Sequence, residues 1–517
     1  MMFEHSLVSR LRAILSLKQV RRTRGVGMLA LVMGLVSLLA GPSLRAPARA
    51  QGAFANCRLG AAVINNPITD YAYTPLNLGW HVNYSTVPSP LEPDGIEFVQ
   101  TVRVHQAKTG WCRDCYVIPY SYTLSPGPTT LGSLALANPG STWFIGNEPD
   151  RRDWSSGGQD EIVPELYAQA YHEASQAIRQ ADPTAKVGIG GVVQATPLRL
   201  KYLDRVWNEY QRLYGRRLGD DVDVWNTHAF VLNERKNDWG AEIPAGLADT
   251  IGLLVSPSDN DRLDLFQQQI IRIRTWMRAK GERNKPLYIT EFGINMPEYY
   301  VSAAQVKAFM SGAIDFLLNY KDGNLGYPMD ENRLVQRAIW YSLDDSEDTQ
   351  RVEDYADSLF SAVTRQRQDY GDSWAAYVQN PADTEAHQPH ASLSLLLSTD
   401  PAFVYDPAGT QTFTFTLRAQ IANGGNTATL TGDNLQISFW DGPPGQAGSQ
   451  QLGSTQVLSD VAGCGDYRVA EVTWPDRGPG SNRWYARMES APDTAEASAS
   501  ALVATLGFHF PIMFGLH

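Results

Sequence analysis

Only four cysteines, Cys57, Cys112, Cys115 and Cys464, occur in 517 residues, and they do not form the two Cys pairs of a structural zinc site. The nine histidines do not cluster, and Tyr171-His172-Glu173-Ala174-Ser175 lacks the second histidine of a zinc protease helix, so no metal is expected. A serine nucleophile elbow is missing too. Gly188-Ile189-Gly190-Gly191 lies inside an apolar run without the spacing of a phosphate-cradling loop, and no cofactor is expected. Basic charge is also short, with 43 Lys and Arg against 55 Asp and Glu and a net charge of −12. Such a chain repels phosphate backbones, which excludes nucleic acid as a partner. A neutral polysaccharide meets no such barrier.

Long apolar runs are also lacking. Arg10, Arg12, Lys18, Arg21, Arg22 and Arg24 precede the longest, Met28 to Ala40, which is followed by small residues ending Ala48-Arg49-Ala50. At 13 residues the run is shorter than the roughly 20 of a membrane span, so residues 1–50 read as a secretory signal. The expected location is secreted or cell-surface, with no stable membrane insertion after cleavage. All four cysteines fall in the exported part, where disulfides persist. Cys112 and Cys115 have redox-like spacing but no following helix; they read as a local structural disulfide or as free thiols in a loop.

Between Leu76 and Asn380 short apolar runs alternate with amphipathic helical stretches, the pattern of βα units around a parallel sheet. Eight runs are expected as strands: 76–84, 98–106, 116–123, 141–148, 185–193, 222–230, 286–293 and 336–343. Eight such strands close into a (β/α)₈ barrel, an α/β fold assigned here to residues 51–380. Helices are expected over 161–180, 203–213, 265–280 and 303–320, with a distorted crossover where Pro126-Gly127-Pro128 interrupts the pattern. A polar linker follows over 381–390. Residues 391–490 carry alternating runs such as Thr412 to Leu417 and Leu435 to Trp440, which predict a small all-β sandwich. A linker and apolar tail, 491–517, read as a terminal strand or a sorting tail.

The chemistry lies in two strand ends. Trp143-Phe144-Ile145-Gly146-Asn147-Glu148-Pro149 ends the fourth run on a carboxylate, and Leu287-Tyr288-Ile289-Thr290-Glu291-Phe292-Gly293 ends the seventh on another. In a barrel of this kind active sites form at the C-terminal rim, so Glu148 and Glu291 face one mouth. Paired carboxylates there are what glycoside hydrolysis needs. Side-chain alternation puts Leu287, Ile289 and Glu291 on one face of the seventh run, and Arg103 and His105 on one face of the second.

The strand order, Asn147-Glu148-Pro149 and Thr290-Glu291-Phe292-Gly293 resemble the clan A glycoside hydrolases over roughly residues 76–380. The resemblance implies a retaining hydrolase of O-glycosidic bonds in a poly- or oligosaccharide. In it Glu148 is the acid/base, with a raised pKa, and Glu291 the ionised nucleophile, about 5 to 5.5 Å away. It further implies that Asn147 bonds the sugar 2-hydroxyl, Arg103 keeps the nucleophile ionised and His228 hydrogen-bonds Glu291. Trp340 becomes the platform beneath the sugar, followed in relatives by a cis peptide. His105 is a further helper, and Trp80, His81, Asn83, Trp154 and Trp239 are further sugar contacts. The second domain resembles the Ig-like, cell-adhesion-related modules of exported bacterial proteins, through Ala422-Asn423-Gly424-Gly425-Asn426 and the Leu435 to Trp440 strand, which implies surface attachment or spacing. The rival reading is a non-catalytic carbohydrate-binding or adhesion protein on the same barrel.

Overall fold

Parallel strands buried on both faces need near-continuous apolar sequence, and the run Thr142–Ile145 is buried at every position. The computed structural model of the chain describes residues 56–153, 158–345, 358–382, 384–406, 408–429, 435–489 and 494–504. The expected signal segment and Trp154 lie outside them. Among the described residues the first domain has the strands β1 (Leu59–Ala62), β2 (Trp80–Val82), β3 (Glu97–Phe98), β4 (Gln100–Gln106), β5 (Tyr122–Ser125), β6 (Thr142–Ile145), β7 (Lys186–Ile189), β8 (Trp225–His228), β9 (Leu287–Phe292) and β10 (Arg337–Trp340). One sheet runs β3-β2-β1-β10-β9-β8 and the other β5-β4-β6-β7. β3 and β4, separated only by Val99, form one barrel strand, and parallel bridges Gly188–Val224 and Val192–Thr227 join β7 to β8. The ring therefore closes with eight parallel strands, the expected (β/α)₈ barrel.

Two of the eight expected runs need correction. The first barrel strand is Leu59–Ala62, whose Leu-Gly-Ala-Ala has no β-branched or aromatic residue and so little strand signal. Tyr116 to Thr123 is not a barrel strand: β5 folds back antiparallel on β4, with Arg103 opposite Ser125. Trp80 and His81 thus belong to the second barrel strand and Arg103 and His105 to the third, while the fourth to eighth keep their expected places.

Helices α1 (Pro128–Ala137), α2 (Pro164–Ala181), α3 (Pro197–Tyr214), α4 (Leu263–Ala279), α5 (Ala303–Asn319) and α6 (Asp369–Val378) surround the ring. Pro128, read as an interruption, instead starts α1, because a proline in the first turn has no amide that the helix would need. Trp80, Val82, Phe144, Val224, Tyr288 and Ile339 fill the barrel interior. A much larger apolar layer lies between strands and helices.

The second domain packs a sheet of β11 (Leu393–Asp400), β13 (Phe413–Asn423) and β16 (Asp466–Arg477) against one of β12 (Phe403–Tyr405), β18 (Thr494–Ala504), β17 (Gly480–Glu489), β14 (Gln436–Trp440) and β15 (Gln451–Val457). Alternate residues, Phe415, Leu417, Ala419 and Ile421 among them, form the shared core. The sandwich therefore extends past 490: β18 pairs antiparallel with β17 and parallel with β12. The expected linker is not loose either. It holds the short helix α7 (Thr384–His387), whose Glu385 takes a hydrogen bond from Arg58 Nε at 3.1 Å. Arg58 also grips Asp330 through two bonds of 2.9 Å and donates to Gly424 O at 2.7 Å. A disulfide, Cys57–Cys464, ties the start of β1 to the sandwich. These contacts lie at the N-terminal end of the barrel strands, opposite the rim at their C-terminal ends.

Candidate active site

Glu148 leaves the end of β6 through a sharp turn in which Gly146 has φ 90° and Glu148 itself φ 49°. A non-glycine residue in the left-handed region persists where its surroundings over-determine it. Here they do: Gly146 N donates to Val102 O at 2.7 Å and Glu148 N to Gly191 O at 3.0 Å, so both neighbouring strands hold the turn. Close approach needs glycine on β7's extension, because a Cβ at Gly190 would sit 2.6 Å from Gly146 O, and one at Gly191 2.7 Å from His228 Nε2.

Glu291 reaches the mouth by a different device. Leu287 and Ile289 pack in the outer apolar layer, whereas Glu291 faces inward as Tyr288 does. The expected shared face is thus broken. Thr227 pairs with Ile289 but His228 with Glu291, so Thr290 is an extra residue, a bulge that turns the carboxylate inward.

The two carboxylates meet over His228. His228 Nδ1 lies 3.2 Å from Glu148 Oε1 and 3.4 Å from Glu291 Oε2, and the three residues each bring one ring nitrogen or carboxylate oxygen within 4.8 Å of the others. All three residues are buried. Arg151 Nη1 donates to the other oxygen of Glu148 at 2.9 Å. Tyr84, in the left-handed region with φ 56°, directs its buried hydroxyl at Glu291.

These neighbours divide the pair electrostatically. Burial raises the pKa of Glu148, but the Arg151 charge and the His228 hydrogen bond outweigh it and leave the group well below the usual carboxylate range. For Glu291 burial dominates; His228 opposes it, the charge of Glu148 adds to it, and the net shift is upward. Burial lowers the His228 pKa, yet the charge of Glu291 and the bond to Glu148 carry it above its ordinary value. The expectation of a raised Glu148 and an ionised Glu291 is therefore reversed in the sugar-free chain, because the arginine lies against Glu148.

That arginine is not Arg103. Arg103 Nε donates to Asp160 Oδ1 at 2.8 Å and its Nη2 to Gly158 O at 3.0 Å. His105 Nδ1 lies 3.6 Å from the same Asp160 oxygen. Asp160 in turn accepts from Asn147 N at 2.8 Å and Val104 N at 3.0 Å, so Arg103 and His105 act on the motif through Asp160. Asn147 is at the mouth, with Nδ2 donating to Gly158 O at 3.1 Å. Asp150, two residues past Glu148, is buried against Arg199 at 2.9 Å.

Trp340 is misplaced by the expectation. It is fully buried in the outer layer, 5.4 Å from Phe292 and 6.2 Å from Trp374 by ring centroids. Tyr341, the next residue, turns inward instead, and the non-proline cis peptide is Tyr341–Ser342. Trp80 sits below the mouth with Arg337 stacked 4.7 Å from its ring, and His81 is buried with Nε2 on Leu91 O at 2.9 Å. Asn83 bonds Ser85, and Trp239 is only partly buried in its loop. Sequence reasoning missed Arg151, Tyr84, Tyr341 and Asp160. Arg151 stood three residues from Glu148, and Tyr84 closed an expected strand run.

Among the described residues, Glu148, His228 and Glu291 are also the one grouping of acidic, His or Cys side chains compact enough to hold a metal ion. The nitrogen a metal would take is already shared by both carboxylates, and Arg151 supplies the cation.

No family model matches the chain and no curated protein matches it. Among solved structures it is similar to a GH128 (subgroup I) endo-β-1,3-glucanase from Amycolatopsis mediterranei in complex with laminaritriose, at 16% identity over 62% of this chain and 99% of that one, with a TM-score of 0.38. It is similar also to a glucosidase from Croceicoccus marinus, at 12% identity, 84% and 98% coverage and a TM-score of 0.39, and to a monomeric β-xylosidase from Caulobacter crescentus, at 12%, 84% and 98%, and 0.38.

Proposed function

We propose that the chain is an exported retaining glycoside hydrolase that acts by double displacement at Glu148 and Glu291. One observation carries the reading: two buried carboxylates, one from each of two opposed strand ends, have oxygens within 4.8 Å of each other at the C-terminal mouth of the barrel. Inverting enzymes hold their carboxyl groups roughly 6.5–9.5 Å apart to admit a water between acid and base, whereas retaining ones keep them about 5 Å apart so that one attacks carbon directly. The sequence supports export, with its basic, apolar and small-residue segment over 1–50, and two disulfides are in keeping with an oxidising compartment.

Glu291 is the nucleophile and Glu148 the acid/base in this reading. Without sugar the proton rests on Glu291, because Arg151 holds Glu148 as the anion. An incoming glycosidic oxygen takes the place of Arg151 at Glu148. Burial then favours the protonated form of Glu148, and His228, as the imidazolium, gives its Nδ1 proton to Glu148 and takes one from Glu291. Glu291 attacks the anomeric carbon while Glu148 protonates the leaving oxygen; water then releases the sugar with Glu148 as base.

The test is turnover of a panel of aryl glycosides, with the anomer of the first product read by proton NMR. Retention is expected. Glu148→Ala should lower kcat by about 1000-fold on poor leaving groups, and azide should rescue Glu291→Ala as a glycosyl azide of inverted configuration. An inverted first product, or no turnover by the wild type on any glycoside or polysaccharide, rejects the reading and leaves the non-catalytic carbohydrate-binding protein.

A further inference from the structure

Beside the mouth, at the end of β4, lies a second concavity of about 440 Å³ lined by His105, Gln106, Lys108, Trp111, Asp153 and Glu161 among others. Its volume is in the range of small-molecule sites, roughly 300–1,000 Å³. Two features distinguish it from an incidental groove. Gln106 is 4% exposed, and while its Oε1 accepts from Val163 N at 2.9 Å, its Nε2 is buried with no partner. A buried amide donor left unpaired is expensive, which marks a place where something else accepts. Trp111 is 59% exposed, an apolar plate at the edge of this polar recess.

Trp111 is held in place rather than loose. Its loop is closed by the Cys112–Cys115 disulfide, by Thr109 N on Cys115 O at 2.8 Å and by Val117 N on Ala107 O at 2.9 Å. Arg113 pairs with Glu242 across the rim. Below it Glu161 is neutralised by Lys108 Nζ at 2.7 Å and accepts from the Tyr116 hydroxyl at 2.6 Å.

We infer that this recess is a saccharide subsite next to the catalytic mouth, in which Trp111 stacks on a neutral sugar ring and Gln106 Nε2 donates to one of its hydroxyls. A ring's C–H face matches an indole, and hydroxyls match the orphaned amide and the Asp153 carboxylate. Lys108 is engaged by Glu161 and Arg103 by Asp160, and Asp153 adds a further carboxylate, so the recess offers no spare cation to a uronate and an uncharged hexose or pentose is favoured. The recess is linked to the mouth through a buried carboxylate. His105 lines the recess and touches Asp160, which bonds the amide of Asn147 beside Glu148. Resting on the glycosidase reading, this makes the substrate a chain several sugars long.

The experiment measures binding to Glu291→Gln, with and without Trp111→Ala, of laminari-, cello-, xylo- and manno-oligosaccharides from disaccharide to hexasaccharide, with oligogalacturonides as the charged series. For at least one neutral series affinity should rise with length and fall about tenfold in Trp111→Ala. Gln106→Glu, which keeps the oxygen that accepts from Val163 and removes the donor, should lose affinity in parallel. Affinity independent of length, unchanged in Trp111→Ala, greater for the charged series, or undetectable throughout overturns the subsite. Wild-type turnover of aryl glycosides is read separately, so length-dependent binding without turnover rejects the glycosidase reading and keeps the subsite.

Discussion

At the scale of single residues the candidate site is a problem of where one proton rests. Arg151 and His228 stabilise the anion of Glu148, while Glu291, buried beside that anion, keeps a proton that water would remove. The pH dependence follows from linkage. Glu291 has a folded pKa above its unfolded value, near the ordinary carboxylate range of about 4. The folded state therefore binds more protons than the unfolded one just above that range. Its contribution to stability is complete below the unfolded value and is lost as pH rises toward the folded one. Glu291→Gln removes the titration, so its Tm should exceed that of the wild type at neutral pH, and the gap should close at pH 4. Thermal melts across that range check it, and a constant gap would contradict the raised pKa.

At the scale of elements, the site depends on how strand ends are bent, and this divides what the sequence made legible from what it did not. Glu148, Asn147, Glu291 and His228 come together as expected because a carboxylate after an apolar run marks a strand end, and the barrel gathers strand ends. Leu287, Ile289 and Glu291 were expected on one face because alternation assumes an unbroken strand; Thr290 breaks it. Trp340 was placed at the mouth by the resemblance alone: β10 pairs with β1 in unbroken register and the extra residue of its pairing with β9 lies on β9, so plain alternation sends Ala338 and Trp340 outward and Ile339 and then Tyr341 inward. Bulges carry no composition signal of their own, and Arg103 could not be matched with Asp160 across 57 residues of sequence. Asp160 is the clearest consequence. It accepts from Asn147 N, Val104 N and Arg103 and fixes the bend that precedes Glu148. Asp160→Asn offers one acceptor oxygen where two were used, and leaves Arg103 without its countercharge. It should destabilise the fold by about 3 kcal/mol and lower kcat by about 100-fold through misplacement of Glu148, with a smaller change in KM. A change in KM alone would mean that Asp160 serves the sugar and not the turn.

For the whole molecule, the two domains are joined at the end of the barrel away from the mouth, and the joint is built from groups far apart in sequence. The Cys57–Cys464 disulfide spans 407 residues, and Arg58 collects Asp330, Glu385 and Gly424 O from three separate segments. Only the change in composition near residue 391 was legible in advance, which located a second domain but not its contact with the first. Four cysteines allow three pairings, and local spacing favoured only Cys112 with Cys115. The disulfide closes a long loop and so removes much entropy from the unfolded chain, whereas the ion pairs at the joint, taken out of water, roughly balance their own desolvation. The staple therefore contributes more to keeping the domains together than the charges do. Replacing both Cys57 and Cys464 by serine should lower the stability of the full chain by about 3 kcal/mol, and calorimetry should resolve separate barrel and sandwich transitions where the wild type should give one. Turnover at 25 °C should be unchanged, because the mouth is at the opposite end of the strands. If turnover fell while the melting profile stayed the same, the joint would be acting on the site and not merely holding the sandwich.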